Sequence, residues 1–119
     1  MSSIVTVDSE AIANLRALSP DDGDVFLKEI LSIFLEDTPS RIAELHNSRA
    51  SANVTSFVRA AHSIKGSSSN VGASELRSVA ERLEHQARTY GLSEVDAQVA
   101  ELEASFLRAK DALQKLITN

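Results

Sequence analysis

The chain has 119 residues, of which 43% are hydrophobic, 24% charged and 4% aromatic, with no Trp and no Cys. That length suits one compact domain whose modest core is built from Leu, Ile, Val and Ala. The missing cysteines exclude disulfides and thiolate metal sites, and a formal net charge of −5 argues against general nucleic-acid binding, which needs a basic face.

No apolar run approaches the roughly 20 residues of a membrane span. The opening Met1-Ser2-Ser3-Ile4-Val5-Thr6-Val7 has neither the basic nor the long apolar region of a signal peptide. A cytoplasmic, free-standing, monomeric protein is therefore the expectation.

Residues 1–7 read as extended and loosely held. Asp8 or Ser9 can cap a short first helix whose apolar side is Ala11, Ile12, Leu15 and Leu18. The turn cluster Ser19-Pro20-Asp21-Asp22-Gly23-Asp24 ends it. A second helix opens at Asp22 to Asp24, where acidic groups suit the positive end of the dipole. It carries Phe26, Leu27, Ile30, Ile33, Phe34, Ile42 and Leu45 on one side as far as about Asn47. Pro39 interrupts it, but the apolar phase resumes after the break, so one long kinked helix is expected, with two shorter helices as the alternative.

Residues 48–52 form a polar link, and Asn53 caps a third helix that fades between Asn70 and Gly72. The fourth runs from about Ala73 to Tyr90, with Leu76, Val79, Ala80, Leu83, Ala87 and Tyr90 inward and Gly91 just past its end. Ser93 caps the fifth, in which Val95, Val99, Leu102, Phe106, Ala109, Leu113 and Leu116 alternate spacings of four and three. That is the seam of a helix packed at a shallow angle. The whole predicts an all-α fold: one domain over residues 1–119, an antiparallel up-down four-helix bundle with a short extra N-terminal helix.

The third helix has an unusual outward face. Phe57, Ala60, Ala61, Ile64, Ser68 and Val71 form its buried stripe. At roughly 100° per residue, His62 lies about 150° from the centre of that stripe. Lys65, Gly66 and Ser69 stand at i+3, i+4 and i+7 from it and share its face. An isolated histidine is ordinarily a solvated surface group. Here a lysine one turn on can bring a point charge to an anionic electrophile. Gly66 costs the helix about 1 kcal/mol relative to Ala, which suggests either a close-approaching partner or close helix packing. His46, near the end of the second helix, and His85, on the polar side of the fourth, lack such a context. Three scattered histidines do not make a metal site.

The stretch His62-Ser63-Ile64-Lys65-Gly66-Ser67-Ser68, followed by Asn70-Val71-Gly72, resembles the signature of histidine-containing phosphotransfer (HPt) domains. These are the four-helix-bundle carriers of two-component phosphorelays. Phe34 to Pro39 resembles the family's second-helix segment and Leu76 to Leu83 its fourth helix. The resemblance implies that His62 is phosphorylated, that Lys65 assists with phosphate charge, and that Gly66 permits a receiver domain to dock. It places at Glu84 the acceptor for the histidine's Nδ1–H, presenting Nε2 as nucleophile. Arg88 would face the same groove, although Glu84 and Arg88 equally form an ordinary i,i+4 surface pair. Ser69 would hydrogen-bond near the phosphate.

Val58, with Ile12 and Leu15 of the first helix, would complete an apolar docking patch, the alternative for each being a core contact. The implied partners are a response-regulator receiver and a sensor or hybrid histidine kinase, with the divalent metal held by the receiver. The chain shows no nucleotide-binding Gly-rich loop and no metal carboxylate cluster of its own, so no cofactor and no autonomous kinase activity are expected. A non-phosphorylated helical adaptor, or a phosphatase acting on a receiver, are the competing readings.

Overall fold

The computed structural model describes residues 5–118, and among them every regular element is helical. The loosely held N-terminus expected over residues 1–7 lies outside the described residues for positions 1–4; residues 5–7 precede the first helix without regular structure. Helix α1 is Ser9–Ala17, α2 Val25–Ala50, α3 Val54–Asn70, α4 Ser74–Tyr90 and α5 Asp96–Thr118. The short links at 51–53, 71–73 and 91–95 force consecutive long helices to run antiparallel. Helices α2, α3, α4 and α5 close a ring, each touching its neighbours, with α3 against α4 the most extensive contact, and α1 leans on α2. This is the predicted up-down bundle with its extra N-terminal helix.

The core is the sum of the inward stripes. Leu27, Leu31, Phe34, Ile42 and Leu45 come from α2, and Phe57, Ala60, Ala61 and Ile64 from α3. Leu76, Val79, Ala80, Leu83 and Ala87 come from α4. On α5 the four-three seam holds: Val99, Leu102, Phe106, Ala109 and Leu113 are buried, Val95 is buried just ahead of the helix, and Leu116 is partly covered. The Phe34 and Phe106 rings meet across the core at 6.2 Å between centroids and 56°, within the range favoured for aromatic pairs.

Pro39 does not divide α2, which is one continuous helix. The proline cannot donate to the carbonyl four residues back. Its neighbour Thr38 is buried, and its hydroxyl donates to the Phe34 carbonyl at 2.7 Å. The helix also continues three residues beyond its expected end, so Ser48, Arg49 and Ala50 belong to α2 rather than to the link. Asn53 caps α3 as expected, its Oδ1 accepting from Ser56 N at 3.1 Å. Ser93 does not cap α5; it lies in an exposed turn, and the helix begins after Val95, whose carbonyl accepts from Val99 N at 2.9 Å. Burying the Val95 side chain in the core sets that starting point.

Three apolar residues expected to face inward do not. Leu18 is 70% exposed, Ile33 56% and Tyr90 68%. Leu18 follows the end of α1, Ile33 sits off the buried stripe of α2, and Tyr90 is the last residue of α4, past the reach of its neighbours.

Helix α1 is tied to the turn between α3 and α4. Asp8, its N-cap, accepts from Glu10 N through its side chain and donates its own N–H to the Gly72 carbonyl at 2.8 Å. Gly72 has φ +72, and a Cβ built there would stand 2.7 Å from the Ala11 Cβ. Only a glycine combines that backbone with that close an approach. Ile12 is consequently only 4% exposed and belongs to the core, so it offers no apolar surface to a partner, contrary to the docking role expected for it. Leu15 and Val58 are half-buried and pack on the core edge.

Candidate functional site

The turn at 71–73 brings α3 and α4 side by side, and across their groove the outward histidine meets a buried carboxylate. His62 has 63% of its side chain exposed, while the Glu84 side chain is only 4% exposed. Nδ1 of His62 lies 2.9 Å from Oε2 of Glu84. The same oxygen accepts from Arg88 Nη2 at 2.7 Å. The other oxygen, Oε1, has Lys65 Nζ at 2.8 Å. That ion pair neutralises the oxygen that His62 and Arg88 do not use.

Burial by itself would favour the protonated acid at Glu84. The cationic and N–H partners outweigh it: Lys65, His62 and Arg88 together hold the carboxyl below its ordinary value. Glu84 is therefore a carboxylate near neutral pH. A carboxylate only accepts, so the proton between the two groups sits on Nδ1 of His62. The lone pair of the imidazole is then on Nε2, at the exposed edge of the ring. A nucleophile of fixed tautomer on a rigid helix is what the geometry provides.

The family resemblance implied Glu84 as the partner of Nδ1, and the two groups do meet; Arg88 reaches Glu84 rather than the ring, as the i,i+4 pair that was its alternative reading. Sequence reasoning did not foresee that Lys65 is paired with Glu84. The i+3 spacing puts Lys65 on the histidine's face of α3, but whether it reaches a carboxylate on α4 depends on the relative level of two helices. Gly66 is exposed, and a Cβ built on it meets nothing within 4 Å. Close packing inside the chain therefore gives no reason for this glycine. Ser69 is exposed on the same face, whereas Ser68 is buried in the bundle.

The remaining histidines stand apart: His46 Nε2 lies 2.9 Å from Glu103 Oε1 on the α2–α5 side, and His85 is exposed on α4. Among the described residues no three His, Asp or Glu side chains gather into a metal cage, and no helix is long and apolar enough to cross a membrane.

An antiparallel helical bundle thus presents His62 at its surface, with Nδ1 anchored by the buried Glu84 carboxylate. The Hpt domain model matches residues 29–118, so the chain belongs to the Hpt domain family. No curated protein matches the chain. Among solved structures it is similar to histidine-containing phosphotransfer protein B of Pseudomonas aeruginosa, with 26% identity, a TM-score of 0.87, and coverage of 98% of this chain and 97% of that one. A histidine-containing phosphotransfer protein of Medicago truncatula shares the fold at 21% identity and a TM-score of 0.83, over 95% of this chain and 78% of that one. So does the HPT domain of a sensor hybrid histidine kinase from Shewanella, at 12% identity and a TM-score of 0.73, over 95% and 94%.

Proposed function

We propose that the chain is a phosphorelay carrier in two-component signalling, with His62 as the phosphorylated residue. The observation that carries this reading is the Nδ1···Glu84 contact of 2.9 Å, which leaves Nε2 free at an exposed edge. The Nε2 lone pair attacks the phosphorus of an aspartyl phosphate on a receiver domain. The N–P bond forms, the P–O bond to the aspartate breaks, and the carboxylate leaves with its electron pair. The Nδ1 proton stays facing Glu84, whose negative charge offsets the positive charge the ring acquires. Attack by a second receiver's aspartate reverses the step and returns the ring to neutral.

Lys65 and Arg88 cancel the charge of Glu84 and leave a positive surplus beside the incoming phosphoryl group, which favours an anionic transition state. Gly66 and Ser69 leave low ground next to the ring for the receiver to approach. Val58, at the edge of the same face, adds apolar contact, and Leu15 contributes what α1 leaves uncovered. The divalent metal and the remaining catalytic groups belong to the receiver. The carrier needs no nucleotide site and acts without autonomous kinase activity.

Incubation with a radiolabelled phospho-receiver tests the reading. Acid-labile, base-stable label on this chain that is lost in His62→Gln is the expected result. Loss of receiver phosphate without label on the chain would point to a phosphatase, and binding without either effect to an adaptor.

A further inference from the structure

The site holds more cations than Glu84 occupies. Lys65 and Arg88 are both committed to its carboxylate, at 2.8 and 2.7 Å. Withdrawing Lys65 would leave Oε1 buried with no partner, since nothing else holds that atom. Burial of an unpaired charge is costly, which keeps the ammonium at its post. Arg59 is different. It is exposed, it stands at i−3 from His62 on α3, and it makes no hydrogen bond or ion pair with any described residue. Residues three apart on a helix are neighbours on its surface.

The phase of α3 adds direction. Around the helix axis, Lys65 and Val58 lie to the α4 side of His62, whereas Arg59 and Gly66 lie to the other side. The ring turns Nδ1 toward Glu84 on α4. Nε2 is thus on the edge away from α4, on the half of the face that Arg59 and the open space over Gly66 share. A guanidinium presents a planar fork of donors matched to phosphoryl oxygens.

We infer that Arg59 is a phosphoryl-binding residue: its unpaired guanidinium contacts the phosphoryl oxygens carried on His62 Nε2. Lys65 keeps Glu84 neutralised meanwhile. The inference rests on the carrier reading, and the test separates the two. Phosphoramidate serves as a partner-free donor: its P–N bond breaks, ammonia leaves, and the Nε2–P bond forms.

Labelling rates are compared for wild type, Arg59→Gln, Arg59→Lys and the control Lys110→Gln, which removes another exposed cation, on a different helix, that pairs with none of the described residues. Arg59→Gln is expected to label about threefold to tenfold more slowly, with Lys at this position restoring part of the rate and Lys110→Gln unchanged. The Nε–H resonance of Arg59 is expected to move when His62 of the wild type is phosphorylated. Equal rates overturn the inference. So does a resonance that stays put, because a slower rate would then reflect general charge rather than contact. A wild type that takes label on His62 from neither phosphoramidate nor a phospho-receiver overturns the carrier reading and this inference with it.

Discussion

At the scale of single residues, the site turns on a carboxylate that burial alone would protonate. Three partners keep Glu84 ionised, and its pKa is depressed in the folded chain. Above the pH at which an unfolded glutamate titrates, about 4.3, the ionised group contributes its full stabilisation. As pH falls through that value the unfolded chain takes up the proton first, and the contribution is gone once the folded carboxyl also protonates. Glu84→Gln is therefore expected to be less stable than wild type by about 1–3 kcal/mol near pH 7. The gap should close below pH ~4, as thermal melts at stepped pH would reveal. The positions of this cluster were readable unequally. His62 and Gly66 stand out from helical phase and composition alone. Glu84 was legible only through the family resemblance, and the Lys65–Glu84 pair not at all, because one helix's periodicity does not specify the height of its neighbour.

At the scale of the elements, two glycines have opposite physical reasons. Gly72 holds a backbone with positive φ against the first turn of α1, where a side chain would collide with Ala11. Gly72→Ala is expected to cost about 1–3 kcal/mol and to loosen α1, seen as faster amide exchange at Asp8 and Ile12. Gly66 lies in ordinary helix facing empty space. Gly66→Ala is expected to raise stability by about 1 kcal/mol, while Gly66→Leu should leave the melt intact and weaken receiver binding; a lowered melting temperature instead would place an internal packing role there.

Helix existence and phase were legible in the α5 seam and the Asn53 cap, since both depend on near neighbours along the chain. Ends were harder to place. Tyr90 carries the apolar period of α4 one step past the bundle, and Ser93 offers a cap that burial of Val95 overrides.

At the scale of the molecule, the core and the site are separable. Leu102 is fully buried in the α5 seam, and Leu102→Ala is expected to cost about 2–5 kcal/mol in one cooperative transition followed by denaturant titration. His62→Gln removes a mostly exposed ring and should shift stability by less than about 1 kcal/mol while abolishing labelling. The bundle order was legible at this scale because short links leave antiparallel neighbours little choice.

The empty space over Gly66 has a practical consequence. The chain contains no cysteine, so Gly66→Cys would install a sole thiol at the edge where a receiver is proposed to sit. Its alkylation by a water-soluble maleimide would then act as a footprint, fast on the free chain and slowed in proportion to occupancy. The same thiol, offered to a receiver carrying a surface cysteine, would record by which oxidised pairs form how the two proteins face each other.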